Sequence, residues 1–154
     1  GANDIETWCD QYGKNCVSPT PAKDWVSGFS SVPGGYKYFN YGSADGCPTG
    51  SYNNAACNPG WSQYDFWYLS WGAPAALAVP EIYSPGLAQQ WAMISRYGAQ
   101  YQSARIYFQG PMDEYDLNNT TLTSSQAWND LWTDLNNNSA TAANMDFSFQ
   151  IHNE

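Results

Sequence analysis

Residues Trp61 to Tyr83 read WSQYDFWYLSWGAPAALAVPEIY, and the fold assigned to the chain turns on this stretch. It holds two aromatic and apolar runs, Phe66 to Trp71 and Leu77 to Tyr83, separated by Gly72, Ala73 and Pro74. Neither run alternates between polar and apolar as a half-exposed strand would. Both are therefore predicted as strands covered on two faces, the kind found inside a layered α/β structure. Each ends in groups suited to meeting a ligand: Ser70, Trp71 and Gly72 on the first, Glu81 and Tyr83 on the second. Large aromatics also fill cores, so packing is the competing role for Trp67, Trp71 and Tyr83.

Upstream, Gly1 to Glu6 is a strand-like run ending in Asp4 and Glu6, which at a spacing of two share one face. Ala22 to Val32 is predicted as a helix with Trp25, Val26 and Phe29 on one side, Pro21 near its start and Pro33-Gly34-Gly35 as its stop. Tyr36 to Tyr41 follows as a strand. Downstream, Pro85 to Gly98 carries helical spacing, Arg105 to Gln109 is a further strand, and Ser124 to Leu135 is the clearest helix, capped by Thr123 or Ser124. Asp146 to Ile151 closes the series with period two. Strands alternating with helices imply parallel pairing through crossovers. The expected class is α/β, either an incomplete (β/α) barrel or an open, mostly parallel sheet of about six strands with flanking helices. A complete eight-stranded barrel usually needs about 250 residues. The 154 residues here are expected to form one domain.

Composition excludes several roles. Fourteen acidic residues against five basic ones give a net charge of −9, which repels nucleic acid and anionic membranes alike. No apolar run is long enough to cross a membrane, and without a signal peptide the chain is expected to be a mature, soluble form. Charged residues are only 12%, with Asn, Ser, Thr, Gln and Gly supplying the polarity, a balance that suits a secreted protein. Aromatics reach 17%, which fits a carbohydrate ligand stacked on rings and equally fits dense core packing.

Four cysteines allow three connectivities; the short Gly, Asn and Pro-rich loops favour Cys9 with Cys16 and Cys47 with Cys57. Zinc is argued against by the absence of a CxxC spacing and by a single histidine, His152, near the terminus. Paired cysteines point to an oxidising compartment. The loop from Gly110 to Thr123 holds Asp113, Glu114, Asp116 and Asn118 without the spacing of a calcium loop, so it reads as a solvated acidic segment; no metal and no cofactor is expected. Asn118, Asn119 and Asn137 open glycosylation triplets.

DIE at 4–6, YFNYGSADGCP at 38–48, the 61–83 stretch and AQQWAMISRYG at 88–98 resemble the later part of secreted bacterial glycoside-hydrolase-like barrel proteins related to the lysozyme-type muramidases. The resemblance runs over roughly residues 1 to 151. In that group a D-x-E pair at the end of a middle strand supplies the catalytic acid, which here implies Glu6 as proton donor and Asp4 as its electrostatic partner. Asp45, Trp71, Glu81 and Tyr83 are then the expected substrate-binding groups, with Asp45 or Glu81 as the second carboxylate that glycoside cleavage requires.

The early strands and helices of such a barrel have no counterpart here, as in a fragment of a longer precursor or a half-barrel that stands alone. An open parallel sheet leaves edges at Ala2 to Glu6 and Phe147 to Ile151 without the lysines or prolines that block pairing. The expected partners are therefore a glycan and, through these edges, a second copy or the missing barrel half. Three roles follow: an extracellular glycoside hydrolase, a non-catalytic glycan-binding domain, or a structural subunit of an extracellular assembly or fibre.

Overall fold

The structure is a computed structural model, and it describes residues 1–7, 16–58, 60–115 and 122–152. Strand β1 (Ala2–Asn3) is followed by helix α1 (Pro19–Ser30), strand β2 (Tyr38–Asn40), helix α2 (Gln63–Trp67) and strand β3 (Ala76–Ala78). Helix α3 (Pro85–Tyr101), strand β4 (Met112–Tyr115), helix α4 (Ser124–Asn136) and strand β5 (Phe149–His152) complete the chain. All registered strand pairs are parallel: β1-β2-β3 form one sheet and β4-β5 another.

The stretch from Trp61 to Tyr83 corrects the expected fold. Phe66 to Trp71 is not a strand but the end of α2 and the π-helical turn Tyr68–Gly72 that continues it. Ser62 starts the helix with a capping box, its backbone N–H and its Oγ both donating to Asp65 Oδ2 at 2.8 Å. The Ala73 N–H closes the wider turn on the Tyr68 carbonyl at 2.9 Å, five residues back. Phe66, Leu69 and Ser70, at helical spacing, are fully buried. Aromatic residues favour strands as strongly as β-branched ones do, which is how the run mimicked a strand.

The open sheet of about six strands and the incomplete barrel are likewise overturned: the described residues form two small parallel sheets, of three and two strands, and four helices. One anticipated strand was lost to α2. Arg105 to Gln109 contributes only the isolated bridge of Ala78 with Phe108, and Glu81 with Met112 is the other bridge between the sheets. Pro80 and Pro111 lie in this junction, and a residue without an N–H cannot extend a ladder. Leu77 to Tyr83 is thus regular only at its start, and the 110–123 segment, expected as a loop, carries β4.

Helices cover one face of the strands. Trp25 and Phe29 of α1 meet the buried Tyr38 ring edge-on at 5.3 and 5.5 Å. Trp91 of α3 reaches Phe66 at 5.9 Å and Phe108 at 6.0 Å. Helix α4, with its Thr123–Gln126 capping box, packs Ala127, Leu131 and Leu135 into the same core. Among the described residues no helix covers the other face: Phe39 and Phe149 are 40% and 43% exposed, and with Ala2, Tyr41, Val79 and Met112 they line an apolar hollow of about 450 Å³.

Asp134 on α4 tests the electrostatics of this packing. Burial raises its pKa above the ordinary 3.8, Asp130 raises it further, and Arg96 of α3 pulls it down. A carboxyl with a raised folded pKa is penalised when ionised, so the cost is absent below the unfolded value and present above the folded one. Asp134→Asn is expected to raise the unfolding temperature at neutral pH, with the gain vanishing below about pH 4. Thermal unfolding of both proteins across that range checks it.

Candidate functional site

Backbone bonds carry the parallel alignment beyond the regular strands. The Tyr41 N–H donates to the Asn3 carbonyl at 3.1 Å, Val79 N–H to Asn40 at 2.9 Å and Glu81 N–H to Gly42 at 3.4 Å. This continuation puts Asp4 level with Tyr41 and Val79, and Ser43 level with Glu81, while Glu6 meets Ser43 through its side chain. Side chains two apart share a face. By this spacing Asp4 follows Ala2, and Glu81 follows Val79, onto the face of the strands opposite the described core helices, with Glu6 brought beside them at the strand ends.

The three carboxylates converge: one oxygen from each of Asp4, Glu6 and Glu81 lies within 4.8 Å of the others. Asp4 is exposed, Glu6 half-buried and Glu81 buried. Glu6 Oε1 accepts the Ser43 N–H at 3.3 Å. Gly42 permits this approach, because a Cβ there would stand 2.1 Å from the Ile5 carbonyl oxygen. Asp4 and Glu6 also border a cleft of about 440 Å³ with Val17, Pro21, Ala22 and Trp61.

Tyr83 and Asp45 belong to the surroundings of the cluster. The Tyr83 phenol is held above the usual tyrosine range, first by burial and then by the charges of Glu81, Glu6 and Asp45, while its hydrogen bond with the Ser43 side chain acts the other way. It stays protonated, and so able to donate, at neutral pH. Asp45 is exposed, and its Oδ1 is engaged by the Gly46 N–H at 2.9 Å. The disulfide Cys47–Cys57 braces the loop behind it, and from that loop Asn58 Nδ2 donates to Thr7 Oγ1 at 2.7 Å while Thr7 Oγ1 donates to the Asp45 carbonyl. Thus the cystine loop ties the end of β1 to the end of β2.

Trp71 does not join this site. As the π-helical turn leads into the start of β3, it lies at the opposite end of the strands from Glu81 and packs on Tyr107 at 5.3 Å. Ser43, Gly42 and Trp61 are site residues that sequence reading missed, and no local pattern marks them. Cys16 is disulfide-bonded, whereas Cys9, Asn118 and Asn119 lie outside the described residues. Asn137 is exposed at the end of α4, where a glycan has room.

Chemically, three clustered carboxylates are hard oxygen donors of the kind that hold Ca²⁺ or Mg²⁺. They are also a place where positive charge is favoured. Like charges this close favour a cation or a developing carbocation among them. No protein-family model matches the chain, and no curated protein or solved structure matches it significantly. No helix among the described residues is long and apolar enough to cross a membrane, and the modest cystine-braced loop is compatible with an oxidising compartment.

Proposed function

We propose that this chain is an extracellular carbohydrate-active protein, related to the muramidase-type glycoside hydrolases, that cleaves a cell-wall or other glycan with Glu6 as proton donor. The convergence of Asp4, Glu6 and Glu81 at the ends of β1 and β3 carries this reading. Glu6 gives its proton to the leaving oxygen as the glycosidic C–O bond breaks, and Asp4 and Glu81 stabilise the positive charge at the anomeric carbon. Water then completes the exchange, returning a proton to Glu6. Carboxyl separations of about 5 Å belong to retaining enzymes, whereas inverting ones need about 6.5–9.5 Å to seat a water. The anomer released first distinguishes the two outcomes. Incubation with peptidoglycan and with neutral oligosaccharides, assayed for new reducing ends and for the first anomer by proton NMR, tests it. Saccharide binding without new reducing ends replaces the hydrolase by a glycan-binding domain.

A second reading, a subunit that assembles with copies of itself, is favoured by the uncovered apolar face together with the outer edge of β1, which no described strand pairs. Size-exclusion with light scattering over a hundredfold concentration range is expected to show growth in mass, and Phe39→Lys to abolish it. A constant monomer mass removes self-assembly.

A further inference from the structure

Away from the carboxylates, two adjoining hollows of about 290 and 280 Å³ share Tyr52 and Gln100 as walls. Together they reach the size of a small-ligand site, about 300–1,000 Å³. The cystine loop supplies Tyr52 and Asn53, the last two turns of α3 supply Arg96, Gln100 and Tyr101, and the turn after α4 supplies Asn138. None of these residues belongs to the carboxylate cluster.

Arg96 is what makes the groove more than a crevice. Among the described residues its guanidinium makes no hydrogen bond and no ion pair, and its Nε is fully buried without an acceptor. Its neighbours are the Tyr52 ring, 6.0 Å away, and the charge of Asp134. Five N–H donors on a partly buried side chain call for oxygen acceptors. Gln100 adds a paired amide donor and acceptor, and Asn53 and Asn138, whose Oδ1 atoms accept from Ser51 Oγ and the Ala140 N–H, add NH₂ donors. Tyr52 and Tyr101, 36% and 51% exposed, add ring surface of the kind that packs against the C–H face of a sugar.

The net charge of −9 and the nearby Asp134 oppose an anion here. We infer that this groove is a second, non-catalytic binding site for a neutral saccharide unit, held by Arg96 and the three amides against Tyr52. The inference does not depend on hydrolysis at Glu6.

An NMR titration of the full chain with chitotetraose and with cellotetraose, following the Arg96 Nε–H and the Gln100 and Asn138 side-chain amides, tests it. Saturable shifts at these groups with at least one saccharide are expected, unchanged in Glu6→Gln and weakened about tenfold in Tyr52→Ala. Arg96→Gln, which keeps a side chain of similar reach, is expected to weaken binding likewise, and covers the case in which Tyr52→Ala unfolds. Shifts confined to the surroundings of Asp4, Glu6 and Glu81, shifts with neither saccharide, or shifts at the groove with acetate in place of sugar would each overturn the inference. Groove binding without any turnover supports it and removes only the hydrolase.

Discussion

Glu6→Gln is expected to lower turnover of a cleaved glycan by about 10²–10⁴-fold, the usual contribution of a positioned proton donor, while saccharide affinity changes by less than about threefold. The substitution keeps the Glu6 shape and leaves an oxygen to accept the Ser43 N–H, so the site should hold its geometry. It removes the acidic proton that the reaction transfers. Asp4→Asn and Glu81→Gln act differently under the proposed mechanism, since each deletes a negative charge assigned there to the anomeric cation, and Glu81, buried among the three, should be the more damaging of the two. Initial rates and binding isotherms for the three variants separate these roles. Unchanged turnover in Glu6→Gln would remove Glu6 from the mechanism whatever the fate of the others.

The carboxylate cluster was largely legible in the sequence because strand periodicity is simple. A spacing of two put Asp4 and Glu6 on one face, and residues just past a parallel strand reach the same rim, which is where Glu81, Asp45 and Tyr83 are found. Helices α3 and α4 were read nearly in full from apolar spacing and caps. The failure was concentrated in Phe66 to Trp71, where a helix buried on several sides shows no polar stripe and thus no helical period. Its capping box, Ser62 with Asp65, was the one local signal available. Trp71 was misplaced for the same reason, since a strand would have aimed it at the rim and the π-helical turn carries it to the other end. The sheet was overextended because ladder breaks at Pro80 and Pro111 depend on which partner each segment meets, and that is tertiary information. Gly42 and Ser43 were missed on the same ground: their importance comes from Ile5 and Glu6 across the strand gap.

Trp91→Ala is expected to cost about 3–5 kcal/mol, a large part of the roughly 5–15 kcal/mol that holds an ordinary domain together. Trp91 is 1% exposed and stands edge-on to Phe66 and to Phe108, so one ring joins α2, α3 and the segment bridging β3. Its removal opens a cavity bounded by three separate elements, which cannot all close on it. At about 2–4 °C per kcal/mol for a chain of this size, the midpoint of thermal unfolding should fall by some 6–20 °C. Trp91→Phe separates two contributions. It loses ring area, but it also removes an indole N–H that is buried without an acceptor, a burden of about 1–3 kcal/mol. The Phe variant should therefore lose less than half of what the Ala variant loses, as measured by denaturant unfolding followed by far-ultraviolet circular dichroism. Equal losses would mean that the indole N–H is satisfied in solution, and a loss under about 1 kcal/mol in the Ala variant would mean that α3 does not pack on Phe66 and Phe108 through this side chain.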